Sequence, residues 1–189
     1  MKFLCDSMSY LLPRPFDNTY WVIPSLLLAG EYPGDVDTDI AVLKQKALFR
    51  SGIRAVVNLM EEDETNHLGK PFAPYLPVLE EMAKSQDEKI FWHRYAIRDQ
   101  GTPTQAWMVQ ILNTIDDYLN LDIPVYVHCW GGIGRTGTVV GCFLARHNLA
   151  GKDGPLNTIA WLRENIGALV PSPETDAQRK FILKWKPGV

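Results

Sequence analysis

Hydrophobic and polar positions follow two rhythms along this chain. Short apolar runs rich in β-branched and aromatic residues alternate with longer stretches whose apolar positions recur three to four apart. The first rhythm predicts buried strands and the second amphipathic helices. "YWVIPSLLLAG" reads as two short strands broken at Pro24, closed by the turn residues Gly30, Pro33 and Gly34. Residues 37–50 predict a helix with Ile40, Leu43, Ala47 and Leu48 on its inner face and Gly52 near its end. "IRAVVNLM" is a buried strand running into the acidic loop "EEDETNH", and residues 71–86 form an irregular, partly helical excursion. "IFWHRYAI" is a strand ending at "RDQGTPT". A helix over 104–120 turns Trp107, Ile111, Ile115, Tyr118 and Leu119 inward. "IPVYVH" is apolar on both faces and therefore central. Helices follow over 136–149, 155–166 and 174–185.

Strands alternating with helices imply an α/β fold: a central, mostly parallel sheet flanked by helices on both faces. With 189 residues and no repeat or linker, the chain reads as one domain over 1–189. Ligands on such sheets sit at the carboxyl ends of the strands, which is where Cys129 falls.

Composition narrows the partners. A hydrophobic fraction of 46% with six tryptophans excludes a disordered chain. A net charge of −3 gives no electrostatic case for nucleic acid or an anionic membrane. Any anion must be caught by local groups. Cys5, Cys129 and Cys142 have neither disulfide-framework nor zinc spacing, which points to a reducing compartment and to no metal. Asp6 interrupts the apolar N-terminal residues and no small-residue cleavage site follows, so no secretory leader is expected. No stretch reaches the roughly 18 apolar residues that span a bilayer. A cytoplasmic protein is the expectation.

"VYVHCWGGIGRTG" carries the chemistry: a strand, a glycine-rich loop and the start of a helix, which together make an anion trap. Gly131, Gly132 and Gly134 let the backbone N–H groups of Trp130 to Arg135 turn inward, Ile133 included. The N-terminus of the helix starting near Thr136 adds positive potential. Arg135 supplies a planar fork for two phosphate oxygens. Cys129 lies inside this ring of donors, which favours its thiolate.

"HCWGGIGRTG" matches His-Cys-x5-Arg-Ser/Thr-Gly and so resembles the cysteine-dependent protein tyrosine and dual-specificity phosphatases. The resemblance runs from "LLLAGEYPG" to the last helix and is nearest the compact dual-specificity type. The pairing of "IRDQGTP" with "HCWGGIGR" is similar to kinase-associated phosphatases. Membership implies a cofactor-independent phosphomonoesterase working through a phosphocysteine. It places the proton donor on Asp99, in the loop after a strand and before a helix, where Ile97 and Arg98 replace the family's tryptophan-proline pair. Otherwise Asp99 is a helix-capping turn residue. It gives Thr136 the hydroxyl that stabilises the departing thiolate, alongside a capping role for the next helix. It gives Gln178, in "PSPETDAQRKFI", the orienting of the attacking water, against a solvated helix position.

Several residues carry plainer expectations. His128 is a buried ring bonding loop backbone, not a base. "EEDE" is a solvated loop, unless Glu61 or Glu62 holds the Arg135 guanidinium. Trp130 and Ile133 line the loop's rim. Asp116, Asp117 and Asp122 are solvated, and Cys142 is core. A disulfide of Cys5 with Cys129 has no support in the sequence.

The expected substrate is a phosphoprotein or phosphopeptide carrying phosphotyrosine, with phosphoserine or phosphothreonine as further targets. Inositol phosphates and phosphoinositides form the alternative class. Such highly charged substrates call for lysines in the loop, and none lies between Cys129 and Arg135. A catalytically dead binding module would lack the cysteine, the arginine or the acid. No motif that deepens a tyrosine pocket is evident, so the cleft is expected to be shallow.

Overall fold

A computed structural model describes residues 12–189. Cys5 and the N-terminal apolar residues up to Leu11 lie outside the described residues. Five strands, β1 (Thr19–Ile23), β2 (Leu27–Gly30), β3 (Ala55–Asn58), β4 (Phe91–Arg94) and β5 (Val125–His128), form one sheet in the order β1-β2-β5-β3-β4. β1 and β2 are antiparallel, joined at the predicted break, and every other pairing is parallel. β5 is central, as its two apolar faces require. Six helices complete the described residues: α1 (Thr38–Arg50), α2 (Leu76–Ser85), α3 (Gln105–Leu119), α4 (Gly134–Arg146), α5 (Gly154–Glu164) and α6 (Asp176–Leu183).

The strands' period of two sorts their side chains into two cores. Tyr20, Val22, Leu27, Ala29, Ala55, Val57, Val125 and Val127 face α3, α4, α5 and α6. Trp21, Leu28, Val56 and Tyr126 face α1 and α2, where Leu48, Phe49, Leu79 and Ala83 close over them. The sheet is thus covered on both faces, and the helical caps follow local chemistry. Asp37 accepts from the backbone of Asp39 and Ile40 to start α1, and Thr104 accepts from Trp107 to start α3.

Two helix faces are rotated from expectation. α1 buries Ala41, Gln45, Leu48 and Phe49, while Ile40 and Leu43 stand exposed. Gln45 goes inward because its amide donates to the carbonyl of Pro33, a partner that hydropathy does not register. α3 buries Met108, Ile111, Leu112 and Ile115, leaving Trp107 and Tyr118 at its margin. Those two rings carry polar atoms that reach the edge of the sheet: Trp107 Nε1 donates to the carbonyl of Ala96, and Tyr118 bonds His93.

Candidate active site

The glycine-rich loop that carries Cys129 joins β5 to α4, and its shape can be read from where its carbonyls go. The Cys129 carbonyl accepts from His128 Nδ1 at 3.0 Å. Trp130's accepts from the Tyr32 N–H at 2.8 Å. Gly132's accepts from Arg163 Nη1 at 3.1 Å, and Ile133's from Ser172 Oγ at 2.7 Å. In a trans peptide the next N–H points away from the carbonyl. With four carbonyls bonded to surrounding elements, the N–H groups of Trp130, Gly131, Ile133 and Gly134 turn toward the loop's own concavity. A concavity of N–H groups of this kind can hold an anion. Arg163 is buried to 4% exposure directly behind it.

The three glycines do different work. Only Gly132 has a positive φ, +67°, and a Cβ there would sit 2.4 Å from the Gly30 carbonyl carbon and 2.6 Å from the Glu31 nitrogen. Gly134 is needed for room, since its Cβ would lie 3.0 Å from Gln178 Nε2. A Cβ on Gly131 would meet nothing nearer than Ile133 Cδ1 at 3.6 Å. The expectation of special dihedrals at all three holds for one.

Arg135 is 2% exposed and its guanidinium is shared among three acceptors. Nη1 bonds Glu64 Oε1 and donates to the Ile97 carbonyl at 3.1 Å. Nη2 bonds Glu64 Oε2 and Asp99 Oδ1, each at 3.0 Å. Burial works against the guanidinium's charge, but the hydrogen bonds it donates to Glu64 and the nearby Cys129 and Asp99 outweigh it and hold the pKa above its ordinary value. Nε, also buried, has no acceptor among the described residues and is the prong left for a ligand oxygen.

The residue holding Arg135 is Glu64, not Glu61 or Glu62. Glu64 Oε1 also accepts from the Glu61 N–H at 2.8 Å, so the acidic loop curls back and delivers its fourth acid to the arginine. Spacing within a run of acids carries no signal for which one turns inward.

Behind the loop, His128 is completely buried and its pKa falls to about 4, chiefly through desolvation, opposed by its bond to the Cys129 carbonyl. A carbonyl can only accept, so Nδ1 carries the proton and Nε2 accepts from Tyr75 Oη at 2.7 Å. Trp92 Nε1 donates to that same oxygen at 2.9 Å. Tyr75 and Trp92 were not legible as partners of the loop, because they belong to elements 53 and 36 positions upstream of His128.

Thr136 lies inside α4, which starts at Gly134, so it does not cap the helix as expected; its hydroxyl donates to the Gly30 carbonyl at 3.4 Å. Gln178 is completely buried, which overturns the solvated alternative. Its Oε1 accepts from the Thr175 N–H at 3.0 Å, and its Nε2 donates to the Gly101 carbonyl at 3.0 Å. Asp116 is not solvated either: it pairs with Arg146 and His147, both at 2.8 Å. Cys142 is core, and burial pushes its thiol far up.

Residues 36–149 match the family model described as a polymorphic toxin system DSP-PTPase phosphatase, Tc-R-P. The chain belongs to this family. It is a cysteine-dependent phosphatase of the dual-specificity type. The dual specificity protein phosphatase CDC14C of Homo sapiens is 33% identical over 91 residues, covering 48% of this chain and 18% of that protein. The matched stretch therefore spans under a fifth of that relative. A crystal structure of kinase-associated phosphatase with its catalytic cysteine substituted by serine superposes with a TM-score of 0.60 at 24% identity, over 82% of this chain and 83% of that one. The structure of PTPMT1 in complex with PI(5)P gives 0.59 at 21%, over 89% and 96%. Both show the shared fold.

Around this phosphatase's loop the rim is aromatic. Trp130 meets the His67 ring at 4.3 Å and Phe72 at 5.3 Å, and Phe72 meets Tyr32 at 4.9 Å. These rings line a groove of about 730 Å³ that reaches Gly131 of the cradle. No helix among the described residues is long and apolar enough to cross a membrane.

Proposed function

We propose that this phosphatase hydrolyses phosphotyrosine in proteins or peptides, with phosphoserine and phosphothreonine as further substrates, through a phosphocysteine on Cys129. The observation that carries the reading is a loop, residues 129–135, whose only cationic side chain is Arg135, opening beside a groove where Tyr32, Phe72 and Trp130 set their rings. A phosphomonoester's three oxygens match the inward N–H groups, and an aryl leaving group suits rings more than a multiply charged inositol does. The PTPMT1 likeness favours the inositol class only through the fold, and folds do not fix substrates.

In the proposed reaction the Cys129 thiolate attacks phosphorus as the ester P–O bond breaks. The Asp99 carboxyl gives its proton to the departing oxygen. Arg135, braced by Glu64, follows the flattening phosphoryl group with its free Nε. Water then attacks the phosphocysteine, Asp99 takes a proton from that water, and the Thr136 hydroxyl steadies the returning thiolate. No cofactor or metal enters any step.

The test is turnover of phosphotyrosyl and phosphothreonyl peptides and of inositol phosphates by purified protein with a chelator present. Phosphotyrosyl peptide should be the best substrate, and Cys129→Ser should abolish its turnover because a serine hydroxyl is not ionised near neutral pH. Preferred turnover of inositol phosphate would overturn the substrate reading. A requirement for added metal would overturn the mechanism.

A further inference from the structure

The segment 172–178 stands on both loops of the site at once. Ser172 Oγ donates to the Ile133 carbonyl of the nucleophile loop at 2.7 Å. Three residues on, Thr175 Oγ1 donates to the Gln100 carbonyl at 3.4 Å, and Gln178 Nε2 donates to the Gly101 carbonyl at 3.0 Å. Gln100 and Gly101 are the residues immediately after Asp99. The loop there is a tight turn, with the Gly101 N–H on the Arg98 carbonyl at 2.9 Å and Gln100 held at φ +58°. Asp99 itself reaches Arg135 at 3.0 Å although its side chain is 55% exposed.

Little else could hold so exposed an acid in place. The pair with Arg135 grips only one oxygen of a carboxylate that is 55% exposed, and a non-glycine residue at positive φ is a conformation that surrounding bonds must maintain. Gln178 is well built to maintain it. Its side chain is completely buried, pressed against Gly134, and each end has one partner. Oε1 closes a capping box with Thr175, which leaves Nε2 no freedom to swing. Those two bonds fix the amide's orientation and commit one N–H of Nε2 to the loop of Asp99.

We propose that Gln178 is a positioning residue for the proton donor: through the Gly101 carbonyl it latches the Asp99 loop closed over Cys129 before substrate arrives. The proposal rests on the reading of Asp99 as the acid, and departs from the water-orienting role expected of this position.

Gln178→Glu separates the latch from the helix cap. A glutamate still accepts from the Thr175 N–H, completing an equally good capping box, but its carboxylate cannot donate to the Gly101 carbonyl. The measurement is kcat/KM on two substrates, a phosphotyrosyl peptide with a basic leaving oxygen and an aryl phosphate with a strongly acidic phenol. Because kcat/KM ends at release of the leaving group, it excludes phosphocysteine hydrolysis. The ratio of the two cancels any general effect of the added charge on phosphate binding. The latch predicts a loss of roughly tenfold or more on the peptide, part of the 10²–10⁴ that general acid catalysis is worth. It predicts a much smaller loss on the acidic phenol; Tm falls as well, because the new carboxylate is fully buried with one oxygen left without a donor. Gln178→Ala should show the same ratio with a lowered Tm.

Equal losses on both substrates would overturn the latch in favour of a structural role. Unchanged kcat/KM with a fallen kcat and a burst of phenol would overturn it in favour of water orientation. Absence of a leaving-group effect in Asp99→Ala would instead remove the acid assignment on which the latch depends.

Discussion

Arg135 concentrates the site's demands into one side chain. Glu64 occupies both terminal nitrogens, Ile97 takes a further N–H, Asp99 leans on Nη2, and Nε remains for the ligand. A lysine ammonium has three donors on one nitrogen and cannot reproduce the two-pronged pairing with Glu64 and the bond to Ile97 while also reaching a phosphate oxygen. Arg135→Lys should therefore cost on the order of 10²-fold or more in kcat, comparable to losing a transition-state donor. Retention of most turnover would mean that charge alone suffices. At the neighbouring glycines a paired comparison is sharper still. Gly132→Ala places a methyl against the Gly30 and Glu31 backbone at 2.4 and 2.6 Å, and at a φ that alanine resists. Backbone cannot step aside as a flexible side chain can. The substitution should abolish vanadate inhibition, while Gly131→Ala, with 3.6 Å to its nearest neighbour, should leave the inhibition constant within about threefold, roughly 0.6 kcal/mol. Equal effects of the two would contradict the cradle geometry.

At the scale of elements, β5 delivers both Cys129 and the ring that supports it. Its inward and outward alternation sends Val125 and Val127 to one core and Tyr126 and His128 to the other, so His128 arrives completely buried beneath α2. Its pKa of about 4 lies below the roughly 6.5 of an unfolded histidine. Between those values the unfolded chain takes a proton that the folded chain refuses. Stability is therefore full above pH 6.5 and drains as pH falls through the window, approaching a loss of about 3 kcal/mol near pH 4. His128→Asn, which keeps a donor for the Cys129 carbonyl but does not titrate, should be less stable at pH 7.5 and show a flatter decline in acid. Urea unfolding of both proteins from pH 7.5 to 4.5 measures the difference, and parallel slopes would refute it. The strand itself was legible from its β-branched run, as was the glycine-rich loop that brings Cys129 and Arg135 together, because those signals are contiguous. Gln45 was not, because hydropathy assigns an inward face by apolarity while its amide finds the Pro33 carbonyl. Glu64 was not, because a turn closed by its own side chain decides which acid faces Arg135.

The whole molecule assembles the site by strand order. β5, β3 and β4 lie side by side and parallel, so the segments leaving their carboxyl ends meet over one spot: Cys129 after β5, Glu64 after β3 and Asp99 after β4. α6 then approaches from the end of the chain to bond the acid loop. No local pattern encodes that meeting, which is why Asp99 and Cys129 were legible through a resemblance while Gln178's partner was not. The convergence sets the most discriminating prediction for the acid. Proton donation matters when the departing oxygen is basic and hardly at all when the phenol is already acidic. Asp99→Ala should slow phosphotyrosyl peptide turnover by roughly 10²–10⁴-fold, the usual worth of a general acid. Its kcat/KM on an aryl phosphate with a strongly acidic phenol should fall far less. Asp99 also contacts Arg135, so a purely structural role would loosen the arginine and lower both substrates together. Equal losses, accompanied by weakened vanadate binding, would assign Asp99 to bracing Arg135 and send the search for the proton donor elsewhere in the cleft.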